Sequence, residues 1–325
     1  MNSNFYPSPY IRYRDSARTI MQDAIIVLLP PFLMAWFYYG LRSLVLGLVS
    51  VLGCVCASGL FSLLAGKKPN LRDFSPIVTG MVIALLLPAS VPFYVPLTAG
   101  VFAMGVVKFP FGGTGYNLFN PAAGGLAFAA LCFPKEIFSY TIPLETLPIV
   151  ISEGVKYVQS PAAIMALGGI PSIDTTEMLL GNFPGPMGAT NILVIGACLL
   201  YLLVRKSTVW YVPAVYLGTV SAVAALCGLE GVSAGQAVVL ELISGSLPFV
   251  AVFMLTDPVT QPKRPLAKVC YAVAAGFCTM LFRYFGAVAP SSIFALLLAN
   301  SLSPALDAWA EEIAAAGREV RYEGK

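Results

Sequence analysis

A glycine-rich segment followed by two asparagines is the first place where this sequence could bind a ligand. Residues 112–122 read Gly-Gly-Thr-Gly-Tyr-Asn-Leu-Phe-Asn-Pro-Ala. The small residues let the backbone approach a neighbour or a ligand closely. Asn117 and Asn120 are costly in apolar surroundings unless their amides are hydrogen-bonded. Two interpretations are open: a re-entrant turn whose asparagines cap the next helix, or a polar collar around a ligand.

A second polar segment, Thr-Asp-Pro-Val-Thr-Gln-Pro at residues 256–262, follows a long apolar stretch. Asp257 is ionisable, and the proline after it cannot continue a helical hydrogen-bond pattern. This combination is typical of a helix terminus with exposed backbone groups. Thr256 and Asp257 are therefore candidates either for a helix cap at the membrane surface or for contacts to a cofactor or a cation.

A third segment presents one hydroxyl at the start of another apolar stretch. Residues 185–191 read Gly-Pro-Met-Gly-Ala-Thr-Asn. The residues alone predict a turn in which Gly188 and Ala189 precede Thr190. An N-capping threonine is the simplest interpretation of that pattern.

Glu241 is the one acidic residue near the middle of an apolar stretch, within Val-Val-Leu-Glu-Leu-Ile at residues 238–243. A carboxyl group inside a membrane is a functional hypothesis by default. Three interpretations stay open for it: contact with a partner subunit, a place beside an ion path, or an interfacial position if the apolar stretch is displaced.

These segments interrupt a chain whose composition is typical of a membrane protein. Hydrophobic residues make up 58% of the 325 residues and charged residues 11%, whereas an ordinary soluble domain carries roughly 25% charged residues. Apolar stretches recur along the whole chain, and the longest reach the roughly 17–25 residues that cross a bilayer. They are continuous rather than alternating, which favours helices over a barrel.

The numbers of histidine and cysteine residues limit which redox cofactors this chain could ligate. The chain contains no histidine, which excludes a His-ligated haem and a His-based proton relay within it. The seven cysteines include no Cys-x-x-C pair, and Cys54 and Cys56 would face different directions on a helix. Neither an iron–sulfur cluster nor a zinc site made by this chain alone is therefore expected.

We predict ten transmembrane helices, several of them short and bounded by Pro or Gly. Their approximate ranges are 24–39, 44–64, 77–87, 95–107, 121–133, 192–204, 209–227, 237–255, 267–285 and 290–302. The third, fifth and tenth look like broken or half-depth helices, which are tolerated only where the backbone lines a cavity or packs in protein. Such interruptions mark binding sites in transporters built from repeats.

The positions of lysine and arginine predict the orientation. With the N-terminus placed in the cytoplasm, fifteen of the nineteen basic residues fall on the cytoplasmic side, as the positive-inside rule requires. The four on the outside are Arg42, Lys135, Lys156 and Arg283. Both termini are then cytoplasmic, and the long loop that carries Thr190 is extracytoplasmic. About twenty polar and basic residues precede the first apolar stretch, so no cleavable signal is expected.

A weak internal repeat divides the chain into halves. Leu-Leu-Leu-Pro at 85–88 and Met-Leu-Thr-Asp-Pro at 254–258 each end a span, and a helix and a further polar segment follow both. Five spans per half give the halves opposite orientations, with any central site at their interface. The prediction is an all-α integral membrane fold of about ten transmembrane helices in two inverted five-helix repeats. Its parts are a cytoplasmic segment 1–22, a repeat 23–133, an extracytoplasmic loop 134–190, a second repeat 191–304 and a cytoplasmic tail 305–325.

Taken in order, these segments resemble the NqrB/RnfD family of flavin-bearing membrane subunits over nearly the whole chain. Ser8-Pro9 and residues 16–30 resemble the family's opening, residues 112–122 its Gly-Asn-x-Phe-Asn-Pro loop, and residues 256–260 its Thr-Asp-Pro motif. Gly188-Ala189-Thr190 resembles the segment whose threonine carries FMN through a phosphoester bond.

The chain is similar to the RnfD branch in length, because NqrB-like chains carry a long N-terminal extension and this one reaches its first predicted helix by about residue 24. Two positions depart from the family pattern. Tyr10 stands where the family often has His, and Met187 stands where Ser or Thr is common. The second departure lies beside the expected attachment site, although the threonine itself is present.

The resemblance implies a redox-driven ion translocase in which electrons pass between reduced ferredoxin and NAD and drive Na⁺ or H⁺ across the membrane. This subunit would carry covalent FMN on Thr190, beside Gly188 and Ala189. A further non-covalent flavin, with riboflavin as the candidate, would contact some of the polar residues Asn117, Asn120, Thr256 and Asp257. The implied partners are the Rnf subunits RnfA, RnfB, RnfC, RnfE and RnfG, a flavin transferase and membrane lipid, with no nucleic acid. The implied location is the bacterial cytoplasmic (inner) membrane.

Two other functions stay open. The family fold is similar to that of urea-transporter-like channels, so a channel or carrier for a small solute without a redox role is the alternative. A scaffold subunit is the third possibility. Covalent flavin at Thr190 separates the redox function from both, since a carrier needs no flavin and a scaffold predicts a replaceable, unmodified threonine.

Overall fold

The computed structural model describes residues 17–323 apart from residues 69, 71, 72, 114, 146, 151–154, 230 and 287–290. Within these residues the secondary structure is helical, and the strand-type pairing is one isolated bridge between Tyr140 and Val158. The predicted N-terminal family features at Ser8-Pro9 and Tyr10 lie outside the described residues. An all-α fold is confirmed.

Five helices build the first half. They are α1 (Ala17–Tyr39), α2 (Leu41–Leu64), α3 (Ser75–Leu86), α4 (Tyr94–Phe102, continuing as a π-helical turn over Ala103–Lys108) and α5 (Pro121–Cys132). Three short helices follow in the long connection: α6 (Pro134–Ile137), α7 (Pro161–Ala166) and α8 (Thr175–Leu180). Proline stands in the first turn of both α6 and α7, where its missing N–H is not needed.

The second half has the same number of main segments. They are α9 (Ile192–Val204), α10 (Tyr211–Cys227), α11 (Ala234–Ile243) with α12 (Leu247–Phe249, continuing as a π-helical turn over Val250–Met254), α13 (Pro265–Phe285) and α14 (Ser291–Glu323). The α11–α12 pair counts as one segment, bent by 66° at a short break. With five segments in each half, the two halves have opposite orientations if each segment crosses the membrane.

Each of the ten predicted spans coincides with a helix or a bent helix pair in the part of the chain that the structure describes. Four helices are long and apolar enough to cross a membrane alone, namely Arg18–Tyr39, Leu41–Leu64, Pro265–Phe285 and Ser291–Ala316, and the bent pair makes a fifth. The other five are shorter apolar helices: Ser75–Leu86, Tyr94–Lys108, Pro121–Cys132, Ile192–Val204 and Tyr211–Cys227. The third and fifth spans are short, as predicted for partly spanning elements packed inside the protein. The tenth was predicted to be broken or half-depth, and this is wrong, because the apolar stretch continues through Ser291–Ala316.

The helices differ from the predicted span limits at three places. The first helix begins at Ala17, inside the predicted N-terminal segment 1–22. The eighth span is not continuous, because Gly245 favours the helix weakly and Pro248 cannot donate to the preceding turn. The predicted tail 305–325 is not separate, since α14 runs past Pro304 to Glu323 through an alanine-rich sequence with strong helix propensity.

Small residues bring α2 and α3 together at Gly80. A Cβ atom built at Gly80 would lie 2.6 Å from the Cα atom of Val51. Ser50 Oγ donates a hydrogen bond of 2.7 Å to the Gly80 carbonyl across the same contact. The close approach fixes α3, whose two ends carry the polar sites described next.

Candidate functional site

The two polar segments that the sequence singled out meet at one cavity of about 120 Å³. We call it the Asn–Asp cavity. Among its lining residues are Asn117, Asn120, Thr256 and Asp257, together with Ser75 and Thr79 at the start of α3. A single water needs roughly 10–15 Å³ by the same measure, so the cavity has room for a ligand well beyond one or two waters.

Asn120 and Asp257 join the two halves directly. Asn120 Oδ1 accepts hydrogen bonds from the backbone N–H groups of Ala122 and Ala123, at 3.0 and 3.2 Å, and so caps α5. Its Nδ2 atom donates to Asp257 Oδ2 at 3.3 Å. The capping interpretation therefore holds for Asn120, and its amide also joins the two halves. The polar collar around a ligand stays a prediction.

Asp257 is held by its own segment rather than capping α13. Its Oδ1 atom accepts from the Val259 N–H at 3.1 Å, and its Oδ2 atom accepts from the Thr260 hydroxyl at 3.3 Å. Thr256 also lines the cavity, but its hydroxyl donates to the Val252 carbonyl at 2.5 Å. The N-cap position of α13 belongs to Arg264, so the capping interpretation of Asp257 is wrong.

Asn117 does not cap α5, and it brings an unsatisfied polar atom to the cavity. Its Oδ1 atom is buried without a hydrogen-bond partner among the described residues, and so is the Thr208 hydroxyl, which lines the same cavity. Leaving a buried polar atom unpaired costs about 1–3 kcal/mol. A ligand that offers hydrogen-bond donors and acceptors would remove that cost at both positions.

Lys108 is a cavity residue that the sequence reasoning counted only as a cytoplasmic charge. It ends the π-helical turn of α4 and is 4% exposed. Its Nζ atom lies 3.0 Å from Asp73 Oδ2 and also donates to Ser75 Oγ. The π-helical turn of α12 borders the cavity from the other half through Val252. π-helical turns occur frequently at functional sites, but the sequence has no simple signal for them.

Burial raises the pKa of Asp257 above the ordinary value of a carboxyl group, and the hydrogen bonds from Val259, Thr260 and Asn120 offset part of this effect. A carboxyl group whose pKa is raised on folding binds its proton more tightly in the folded chain. Its stabilising contribution is therefore complete below the ordinary pKa of about 4 and is lost as the pH rises through the raised pKa.

We accordingly expect the stability of the wild-type chain to fall relative to the Asp257→Asn variant as the pH rises above about 4 and through the raised pKa of Asp257. The measurement is the thermal unfolding midpoint of both purified chains across this range. All other titrating groups are common to both proteins, so their effects cancel in the difference. A difference that stays constant with pH would contradict the prediction.

The segment with Thr190 lies at the other end of α3. The Met187 N–H donates to the Leu87 carbonyl at 3.0 Å, and the Gly188 N–H donates to the Leu85 carbonyl at 2.9 Å. The Asn–Asp cavity lies at the Ser75 end of the same helix. Twelve helical residues span about 18 Å, so the structure places Thr190, with Gly188 and Ala189, apart from the predicted site residues of the Asn–Asp cavity.

Thr190 is not the N-cap of α9. That position is taken by Asn191, whose Oδ1 atom accepts from the Val194 N–H at 3.0 Å while Nδ2 donates to the Leu180 carbonyl at 2.6 Å. Thr190 itself is 2% exposed, and Ala189 beside it is fully buried. An N-capping role therefore does not explain Thr190. Because the residue is buried, its hydroxyl becomes accessible only if the segment moves.

Glu241 pairs within the chain. Its Oε2 atom lies 2.9 Å from Arg283 Nε, and the two side chains are 1% and 6% exposed. Arg283 also donates to the Glu241 carbonyl and to Ser244 Oγ at the break between α11 and α12. The pair explains how both charges are buried without a partner subunit. No ion path is needed to account for Glu241.

Comparison with known proteins shows similarity over the full chain. The model of the NQR2, RnfD, RnfE family matches residues 4–315. A subunit of the Na(+)-translocating ferredoxin:NAD(+) oxidoreductase complex of Acetobacterium woodii is 29% identical, over 100% of this chain and 99% of the relative. The corresponding subunit of the proton-translocating ferredoxin:NAD(+) oxidoreductase complex of Clostridium ljungdahlii is 28% identical, over 94% of each. That of the ion-translocating oxidoreductase complex of Methanosarcina acetivorans is 25% identical, over 93% of each.

Proposed function

Because this chain belongs to the NQR2, RnfD, RnfE family, we propose that it is the flavin-bearing RnfD-type membrane subunit of an ion-translocating ferredoxin:NAD oxidoreductase complex. Its location would be the bacterial cytoplasmic membrane, with both termini in the cytoplasm and Thr190 outside. The observation that carries the proposal is the placement of two candidate flavin positions at opposite ends of α3.

The residues at the Asn–Asp cavity fit a planar, hydrogen-bonding ligand such as riboflavin. Asn117 Oδ1 and the Thr208 hydroxyl are unsatisfied among the described residues, and Asn120 and Asp257 hold one wall in place. Val252 and Phe253 supply apolar surface beside them. A bound flavin would supply one- and two-electron redox chemistry, while the protein positions it and sets its potential.

The Thr190 hydroxyl can form a phosphoester, and it follows the two small residues Gly188 and Ala189. The hydroxyl is buried behind the turn that packs on Leu85 and Leu87. We infer that a flavin transferase reaches it only when this turn moves away from α3, before or during assembly with the other Rnf subunits.

Denaturing gel electrophoresis of the purified complex tests the attachment. We expect ultraviolet fluorescence in the band of this 34.5 kDa chain, and its complete loss in Thr190→Ala because no hydroxyl remains to be esterified. Thr176→Ala is the matched control, since Thr176 is an exposed threonine in the same connection. A dark wild-type band from cells with an active transferase would favour the small-solute carrier or the scaffold.

Flavin released by acid from the purified complex tests the second position. In Asn117→Leu we expect at least a tenfold loss of affinity for the non-covalent flavin, because one buried hydrogen bond of about 1.4 kcal/mol corresponds to that factor. Thr219→Val is the control, as this threonine on α10 bonds its own helix and does not line the cavity. Unchanged non-covalent flavin in Asn117→Leu would place the second flavin elsewhere.

A further inference from the structure

A second cavity, of about 400 Å³, lies on the side of the molecule that carries Thr190. We call it the Arg42 cavity and define it by the charged and aromatic residues that line it. These are Arg42, Phe93, Lys135, Glu136 and Tyr157. Arg42 and Lys135 are two of the four basic residues that the charge distribution places outside the membrane.

The buried charge in this cavity is held by carbonyl groups. Arg42 is 1% exposed, and its Nε and Nη2 atoms each donate at 2.6 Å, to the carbonyls of Ala89 and Val91. A further carbonyl, that of Ile149, accepts from Nη1. Among the described residues no carboxylate pairs with Arg42, so its hydrogen bonds are satisfied while its charge is not neutralised.

The other described ionisable groups of the lining leave the cavity with positive charge. Lys135 is exposed at its edge, and Glu136 Oε1 accepts a hydrogen bond from the Tyr94 hydroxyl at 3.3 Å. An uncompensated buried cation is costly, so an anion in this cavity would stabilise it. The Phe93 ring lies 5.1 Å from the Arg42 guanidinium, and Tyr157 adds a second ring to the lining.

The cavity and the Thr190 turn are attached to the same short connection after α3. The turn bonds the carbonyls of Leu85 and Leu87, and Arg42 bonds those of Ala89 and Val91. Six residues of chain span at most about 20 Å when fully extended. The Thr190 turn and the Arg42 cavity therefore lie at the same end of α3.

We propose that the Arg42 cavity receives the ring of the flavin linked to Thr190, an inference that rests on the proposed function. The two rings of the lining suit a planar ligand. A flavin bound there would gain two electrons from the preceding carriers of the complex and one proton from solvent, which would leave one negative charge on its ring. Arg42 and Lys135 stabilise that charge and raise the reduction potential of this flavin.

Redox titration of the covalent flavin in the intact complex tests the inference. Lys135→Gln removes one charge at an exposed position, so the chain keeps its fold. We expect the ratio of reduced to oxidised flavin at a fixed potential to fall by up to tenfold, which equals about 30 mV for a two-electron couple. Lys135→Arg keeps the charge and is expected to keep the potential. Lys156→Gln, an exposed basic residue of the same connection outside the cavity lining, is the matched control.

The outcomes separate this inference from the function on which it rests. A dark wild-type gel band contradicts both. A fluorescent band whose potential is the same in wild type and Lys135→Gln overturns the inference and leaves the flavin at Thr190 intact. If Lys135→Gln instead removes a co-purifying phospholipid without moving the potential, the cavity holds a lipid headgroup, and the inference is again overturned.

Discussion

Replacing Arg283 by methionine will lower the free energy of unfolding of this chain by about 3–5 kcal/mol, because it leaves the buried Glu241 carboxylate without a countercharge. The two side chains are 6% and 1% exposed, and Arg283 Nε lies 2.9 Å from Glu241 Oε2. The same guanidinium donates to the Glu241 carbonyl and to Ser244 Oγ. It therefore also satisfies the backbone where α11 ends.

The effect will extend to the Asn–Asp cavity. The bend of 66° between α11 and α12 directs the second half-helix to its π-helical turn, and Val252 in that turn lines the cavity. Arg283 is in this sense a positioning residue that holds the bend from α13. We expect Arg283→Met to weaken retention of the non-covalent flavin while the covalent flavin on Thr190 stays attached.

Two further variants separate burial from charge. The double variant Glu241→Gln with Arg283→Met removes both charges and is expected to recover most of the lost stability, as is usual when a buried pair is replaced rather than broken. Arg264→Met breaks the pair of Arg264 with Glu311, whose side chains are 39% and 69% exposed, and is expected to change stability by about 1 kcal/mol or less. The measurement is chemical unfolding in detergent, and a double variant less stable than Arg283→Met would contradict this explanation.

The helices and part of the site could be predicted from sequence because the responsible forces act locally. A continuous apolar stretch must be helical in lipid wherever it lies in the chain. Asn120 precedes a span in the first half and Asp257 follows one in the second. The repeat predicted a central site between the halves, and the structure has a hydrogen bond of 3.3 Å between these two residues. Both predictions needed only the order of apolar and polar segments along the chain.

The features that could not be predicted depend on contacts between distant segments. Glu241 and Arg283 were assigned separately, one to mid-span and one to the outside, because neither residue type predicts the bend that lets them meet. Arg42 was counted as an outside charge, although carbonyls of two separate connections surround it. Thr190 was expected to be presented by its turn, yet packing of that turn on α3 buries it. In each case burial is decided by tertiary packing, on which local sequence carries no information.

Replacing Gly188 by alanine will destabilise the chain by about 1–3 kcal/mol, the usual effect of inserting a methyl group into a filled space. A Cβ atom there would overlap Leu85 Cδ2 and would lie 2.9 Å from Leu85 Cβ. The turn would have to move off α3, which weakens the hydrogen bond from the Gly188 N–H to the Leu85 carbonyl. The glycine is thus explained by close packing rather than by an unusual backbone angle.

Gly196→Ala in α9 is the matched control, and we expect it to stabilise the chain rather than destabilise it. No described atom lies within 4 Å of a Cβ built at Gly196, and alanine favours a helix over glycine by about 1 kcal/mol. Thermal unfolding of both variants, made without the flavin transferase, measures the packing effect alone. Repeating the measurement with the transferase then shows what Gly188 does for attachment. If Gly188→Ala abolished covalent flavin without changing stability, the glycine would serve recognition by the transferase, and the packing explanation would be wrong.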